Sequence, residues 1–426
     1  MKPVLDHIYR LFCLVLLLLA FPGFAEAQEA VGEMEGRTIQ DVVLMGNFRT
    51  KDSVILRELQ SKRGRPLEHR VLREDHLRLE NLQIFSEVRM WPISVHDGVR
   101  LYVDVKERVS WFPLPILYWT HEEGWTYGFG VASINFRGRA EELQGYVAFG
   151  GGRGMRLDWY TPWAWRRVFL RVHAERKRTY YRYDQFRPSI HSFGLEVGRP
   201  LWRHWRLSVE GRYTVLESDK PGKTVSQDDR DVLPELLASI VYDTRDLQAN
   251  PHSGWLNALV ISQTGKWLEG TTDMTSLTVD SRRYQPLWLG HTLALGIQAK
   301  VRAGRIPLYE RFHLGGTETV RGWDWNSFQG DNSAIASAEY RFDLARRRIV
   351  YGAARSGYVD QGLGGAFFVD TGAVWDVGQE ARATVFHPGF GLGLRIFVPL
   401  VQVVRLDYAW NRHGQGRWQV NLYPKL

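Results

Sequence analysis

The feature that most restricts the fold is alternation. Beyond residue 111 the chain is a succession of segments about ten residues long in which apolar and polar side chains take turns. In 205–215, Trp205, Leu207, Val209, Gly211, Tyr213 and Val215 share one face, and Arg206, Ser208, Glu210, Arg212 and Thr214 the other. In 293–302, Leu293, Leu295, Ile297, Ala299 and Val301 oppose Ala294, Gly296, Gln298, Lys300 and Arg302. In 403–410, Val404, Leu406, Tyr408 and Trp410 oppose Arg405, Asp407 and Ala409. A period of two means extended strands with one greasy and one wet side. Soluble sandwiches alternate too, but with shorter strands and fewer charges on the polar face. Strands of about 9–11 residues with aromatics near their ends fit a membrane barrel, apolar side to lipid and polar side to the lumen. Closing the sheet leaves no unpaired edge in lipid. No run of about 20 apolar residues exists, which excludes a helical membrane protein. The 17 Trp, 18 Tyr and 20 Phe argue against disorder. The formal net charge is +8, with arginines spread along the strands rather than clustered, which speaks against nucleic acid.

Sixteen such strands are predicted, starting near Trp111, Trp125, Glu142, Gly154, Arg166, Ser189, His204, Val232, Gly254, Thr271, Gly290, Ser333, Gly364, His387, Gln402 and Gly416. An even count suits a single-chain bacterial barrel. If residues before 111 lie on the periplasmic side, connections after odd strands should be external and longer. Residues 217–232 and 304–332 follow odd strands and are long, and 137–141 follows an even strand and is short. Residues 344–363 break the pattern, being a long connection after strand twelve.

Two segments precede the barrel. Lys2 and Arg10 flank the start of an apolar run from Leu11 to Phe21, too short to span a bilayer, and Ala25-Glu26-Ala27 offers a small-x-small cleavage site. Residues 1–27 therefore read as a signal peptide. The only cysteine, Cys13, falls inside it, preceded by Phe12 rather than the small residue a lipidated cysteine needs, so no disulfide framework is expected. Loss of Lys2, Arg10, Asp6 and Glu26 leaves the charge at +8. Residues 36–107 read as β-α-α-β-β: a strand Ile39–Leu44 ending in Gly46-Asn47, helical spacing in Val54, Ile55, Leu56 and Leu59, a break at Gly64 and Pro66, a second helix marked by Val71, Leu72, Leu79 and Leu82, and two strands about His96-Asp97-Gly98. Its G-N-x-x-T turn (Gly46, Asn47, Thr50), Phe85 and closing V-x-E (Val105, Glu107) make this module resemble a POTRA domain.

The C-terminal half carries the rest of the likeness. Gly315-Gly316-Thr317 and then Val320-Arg321-Gly322-Trp323 occupy the long connection after strand eleven. Upstream stand Asp243, Arg245, Asp246, Asn250, Pro251 and Gly254; downstream stand Glu339-Tyr340-Arg341-Phe342, Phe368-Val369-Asp370-Thr371-Gly372, and Gly391, Gly393 and Arg395. In this order, behind a POTRA-like module, they resemble the BamA/TamA-type outer-membrane assembly factors, whose V-R-G-F/Y signature here carries Trp. The resemblance covers essentially the whole mature chain and implies a mainly β protein: a 16-stranded antiparallel transmembrane β-barrel over 111–426, preceded by one small α+β POTRA domain. The chain departs from the family in having one such module, in Trp323, and in ending in Leu426.

Within that resemblance, the signature loop folds back into the lumen and its arginine meets acidic residues on the wall. Carried over by motif, Arg321 pairs with Asp370, with Glu339 as a second partner, and Gly322 permits a tight backbone at the tip. A guanidinium fork in a confined lumen needs carboxylates, so the chemistry agrees. The even-spaced Gly389, Gly391 and Gly393 would leave room for the loop. Strand one contains Pro113 and Pro115, whose missing donors lie on one edge. In a closed barrel that edge faces strand two or strand sixteen; the expectation is strand sixteen, which weakens the closing seam, and the alternative is that the prolines precede the membrane strand and shape a linker. Arg346-Arg347-Arg348 reads as a solvated charged turn.

The histidines have no metal spacing and no nucleophile elbow is present, so neither catalysis nor a metal or other cofactor is expected. The resemblance implies insertion, assembly or translocation of other proteins at the bacterial outer membrane, with the N-terminal domain in the periplasm. The partners implied are outer-membrane lipid, unfolded outer-membrane or secreted clients, and accessory periplasmic or lipoprotein subunits. The alternatives are a dedicated secretion pore for one exported partner and a passive porin.

Overall fold

The computed structural model describes residues 34–120, 124–181, 184–248, 250–350, 358–379, 384–398 and 402–421. The expected signal segment, including Cys13, lies outside them.

Residues 39–107 form a three-stranded sheet with two helices on one face. Strand β1 (Ile39–Met45) runs parallel to β3 (Gly98–Glu107), and β3 pairs antiparallel with β2 (Phe85–Val95), which is an edge. Helices α1 (Asp52–Glu58) and α2 (His69–Asn81) supply Val54, Ile55, Leu72 and Leu79 to a core closed by Ile39, Leu101 and Val103. Asp75 takes a core-facing position on α2 and is fully buried, because it accepts the backbone N–H groups of Gln60 and Ser61, each at 2.8 Å, and pairs with Arg78. A buried carboxylate is tolerable only when so satisfied. The residues of the G-N-x-x-T and V-x-E motifs interlock. Glu107 accepts from the backbone N–H of Arg49 and Thr50, Asn47 donates to the Thr50 carbonyl, and a side chain at Gly46 would strike the Val105 carbonyl.

The remainder is one antiparallel sheet of sixteen strands, each hydrogen-bonded to its sequence neighbours, from Trp111–Thr120 to Gly416–Asn421. The predicted faces hold. Trp205, Leu207, Val209, Tyr213, Leu295 and Ile297 are exposed on the outside, whereas Ala294, Arg405, Asp407 and Ala409 are buried inside. Fifteen strands start within two residues of their expected positions. The thirteenth does not. Its pairing with the twelfth (Asn332–Val350) continues past an irregularity at Asp343/Ala345, from Ala345↔Leu363 to Val350↔Tyr358, so it spans Tyr358–Trp375. The expected connection 344–363 is thus largely a β-ribbon, and Arg346, Arg347 and Arg348 lie on its first strand rather than in a turn; residues 351–357 are outside the described set. Gly364 and Gly365 mimic a turn signal, but a side chain at Gly365 would lie 2.3 Å from the Phe342 ring, so that glycine serves close approach within a sheet.

The small domain sits against barrel turns that follow even-numbered strands. Asn135 donates to Thr50 (2.8 Å) and the Lys51 N–H to the Gly138 carbonyl (2.9 Å) after strand two; Arg57 stacks on Trp163 at the end of strand four; Arg203 pairs with Glu74 after strand six; and Asn81 donates to the Asp246 carbonyl (2.9 Å) and accepts from the Gln248 N–H after strand eight. Connections after odd strands therefore open at the opposite end.

Candidate functional site: a loop anchored inside the barrel

The connection between the eleventh (Thr292–Gly304) and twelfth strands holds a short helical turn, a two-stranded ribbon (Phe312–Leu314 with Phe328–Gly330) and, between the ribbon strands, the signature residues. Val320 and Arg321 are fully buried. The Arg321 guanidinium is held by three carboxylates from three strands. Nε and Nη2 donate to Asp370 on strand thirteen (2.7 and 3.0 Å), and Nη1 donates to Glu339 on strand twelve (2.9 Å) and to Asp407 on strand fifteen (3.3 Å). The Arg321 backbone N–H also donates to Asp370 (3.2 Å), and the guanidinium carbon stands 3.4 Å from the centre of the Phe368 ring. Burial disfavours the charge on Arg321, but Asp370 and Glu339 more than reverse this and hold its pKa above the ordinary arginine value.

The sequence places Arg321, Asp370 and Glu339 in one constellation, and they meet. Asp407, Arg395 and Arg405 complete it; the sequence marks Arg395 as a motif residue and Arg405 and Asp407 as a polar face, but assigns none of them to the site. Arg395 pairs with Glu339 (2.9 Å) and Asp407 (2.5 Å), and Arg341 adds a further pair to Glu339 (2.9 Å). Arg405 donates to Glu318 of the loop at 3.1 Å. The visible signal was the polar face Arg405/Asp407/Ala409, but alternation says only that these residues face inward, not that their register lies opposite the loop.

Glycines make room for the backbone. Of the three glycines expected to leave room for the loop, Gly389 does so, since a side chain there would lie 1.9 Å from the Arg321 carbonyl; Gly391 and Gly393 are crowded instead by strand fifteen, by the Tyr408 carbonyl and the Asp407 side chain. Gly322 has φ of +92°, and a side chain there would meet the backbone of Trp410 and Asn411 at 2.7–3.0 Å. Trp323 donates its indole N–H to the Pro388 carbonyl (3.0 Å) and packs edge-on against Phe328, His387 and His413. The loop also reaches the last strand. Arg417 grips Asp324 through two nitrogens (2.7 and 2.9 Å) and donates to the Gly322 carbonyl (3.1 Å), and Asn421 donates to Thr317 (3.1 Å). One loop thus ties together strands twelve to sixteen.

Pro113 and Pro115 lie within strand one, in unbroken register with strand two (Gly124–Phe136) as Pro113↔Val131 and Pro115↔Phe129. Antiparallel pairs alternate between hydrogen-bonded and non-hydrogen-bonded, and prolines keep such a ladder intact only in the second class. Their nitrogens therefore point away from strand two, toward the opposite edge.

The pattern of the Omp85 superfamily domain matches residues 135–422, and that of the POTRA family described as surface antigen variable number repeat matches residues 37–108. The outer membrane protein assembly factor BamA of Nitratidesulfovibrio vulgaris is 24% identical over 330 residues, which are 71% of this chain and 41% of that protein. The chain therefore spans well under half the length of that relative. Among solved structures, BamA from Haemophilus ducreyi lacking POTRA domains 1–3 superposes with a TM-score of 0.58 at 16% identity, covering 90% of this chain and 83% of that one. CdiB from Escherichia coli gives 0.60 at 13%, covering 92% and 74%. At such identities the likeness concerns the fold.

Proposed function

The chain belongs to the Omp85 superfamily, as an outer-membrane β-barrel protein with a POTRA domain, and on that premise we propose that it inserts, assembles or translocates other proteins at the bacterial outer membrane. The observation that carries this reading is the anchored loop. A passive pore does not require a loop fastened to its inner wall by a fully buried arginine and three carboxylates from three strands. A machine that must hold its barrel in one state until a client arrives does.

The POTRA domain, seated under the turns of strands two to eight, would lie in the periplasm and offer the edge strand β2 to an unfolded client or an accessory subunit. The seam between strands one and sixteen, short of two donors at Pro113 and Pro115, would be the place where a client strand adds. No cofactor and no catalysis enter this scheme; folding of the client would supply the free energy.

Depletion of the protein in its host, followed by quantification of the outer-membrane proteome, tests the proposal. Joint loss of several barrel proteins supports an insertase. Loss of a single exported product, trapped in the periplasm, supports a dedicated secretion pore. An unchanged proteome, with steady conductance of the purified protein in planar bilayers, refutes both in favour of a porin.

A further inference from the structure

Arg405 is 1% exposed, yet only one of its nitrogens is used in full. Nη2 donates to Glu318 (3.1 Å) and, at 3.5 Å, to the Thr317 carbonyl. Among the described residues, Nε and Nη1 have no hydrogen-bond acceptor. Three buried carboxylates stand in the same cluster, but Arg321, Arg395 and Arg341 share them: Asp370 is held by Arg321, Glu339 by all three, and Asp407 by Arg321 and Arg395. Leaving two donors of a guanidinium buried and unmet is costly, and native proteins rarely do so.

Arg405 lines a cavity of about 30 Å3. Arg341 and Arg395 also line it, with Thr292 at the start of strand eleven and His252 from the turn after strand eight, and Gly364 and Gly365 contribute no side chain to fill it. Its one acidic liner, Asp343, is exposed. Of the three guanidinium groups around this space, Arg341 and Arg395 are already paired with Glu339 and Asp407, which leaves Arg405 with its two unused N–H donors for something small. A cavity this large holds only a few atoms.

We propose that this pocket is a binding site for one small monovalent anion, a halide or a formate-sized carboxylate, held by Nε and Nη1 of Arg405 beside Arg395. The anion would do more than satisfy donors. Arg405 grips the loop through its third nitrogen, so an anion on its other side fixes the guanidinium in the orientation that holds Glu318 and Thr317. Anion occupancy would thus strengthen the anchoring of the loop.

The test uses the purified full chain in lipid nanodiscs at constant ionic strength, with chloride, formate or gluconate as the sole anion, gluconate being too large to enter. The heat-modifiability midpoint should stand about 2–4 °C higher in chloride and formate than in gluconate. Arg405→Gln should abolish that difference. Equal midpoints in all three salts, or a difference that survives Arg405→Gln, would overturn the proposal. Should the variant fail to fold, crystals of the wild-type chain grown in bromide decide independently. An anomalous peak within hydrogen-bonding reach of Arg405 supports the site, and ordered water there without bromide refutes it.

Discussion

Replacing Arg321 by alanine removes the centre of the loop anchor, and the structure sets the size of the effect. Asp370 loses a two-pronged pair, Glu339 and Asp407 each lose one of their arginines, and the contact with Phe368 disappears. Removing one partner of a buried ion pair costs about 3–5 kcal/mol, mostly through the charge left behind. Here the carboxylates are unequally exposed to that loss. Glu339 keeps Arg395 and Arg341, and Asp407 keeps Arg395, so Asp370 bears most of it. The lower half of the range, about 3–4 kcal/mol, is therefore expected, and it corresponds to about a 150- to 900-fold rise in the open population of the loop. Amide hydrogen exchange at residues 318–323 in nanodiscs reads this directly, since exchange through local opening reports its free energy. Arg321→Lys should recover little, because an ammonium cannot span three carboxylates as a planar fork does. Arg321→Ala combined with Asp370→Ala should cost less than the sum of the single changes, by about 2 kcal/mol, as contacting residues couple. If exchange in Arg321→Ala stays within threefold of wild type, the loop is held by its other contacts and the buried constellation does not anchor it.

Further outcomes follow from the same geometry. Gly389→Ala should displace the loop and lower the heat-modifiability midpoint, whereas Gly211→Ala, which points a methyl into open space on the outer face, should leave it unchanged; equal effects would refute the close-packing argument. Arg417→Ala breaks a pair whose carboxylate is 64% exposed, so it should cost at most about 1 kcal/mol by the same exchange measurement, far less than Arg321→Ala. Asn81→Ala removes two hydrogen bonds between the POTRA domain and the turn at Asp246–Gln248 and should raise protease access at that junction severalfold, each bond being worth about 1 kcal/mol. In the host, Arg321→Ala should reduce client levels as depletion does; normal levels would favour a passive pore.

Much of this was open to sequence reading, and the boundary has physical causes. Alternation exposes strands because the pleat imposes a period of two on any strand with one wet face. It fails where both faces meet the same medium. In the ribbon extending strands twelve and thirteen, Ala345–Val350 and Tyr358–Leu363 do not alternate apolar with polar residues, and Gly362, Gly364 and Gly365 counterfeit a turn. The anchor divides the same way. Arg321 and Asp370 sit in short motifs and could be matched across 49 residues. Arg395, Arg405 and Asp407 could be placed on the inner face but not opposite Arg321, because facing is local whereas register is set by every preceding pairing.

The two sides of the closing seam are built unequally, and this connects the loop to the proposed activity. Strand sixteen spans six residues and is braced from within by the signature loop through Arg417, Gln419 and Asn421. Strand one has no such brace among the described residues, and its outer edge lacks two donors at Pro113 and Pro115. A seam with one side fastened and the other short of hydrogen bonds should part by movement of strand one, not of strand sixteen. Replacing both prolines by alanine restores two donors to that edge. It should therefore raise the yield of disulfide trapping between cysteines placed along strands one and sixteen, and slow any client step that needs the seam. Releasing the loop with Arg321→Ala should loosen strand sixteen instead and lower the trapping yield. If the double proline variant traps no better than wild type, or if wild type already cross-links efficiently along the whole seam, the prolines do not weaken it and client entry must be sought elsewhere.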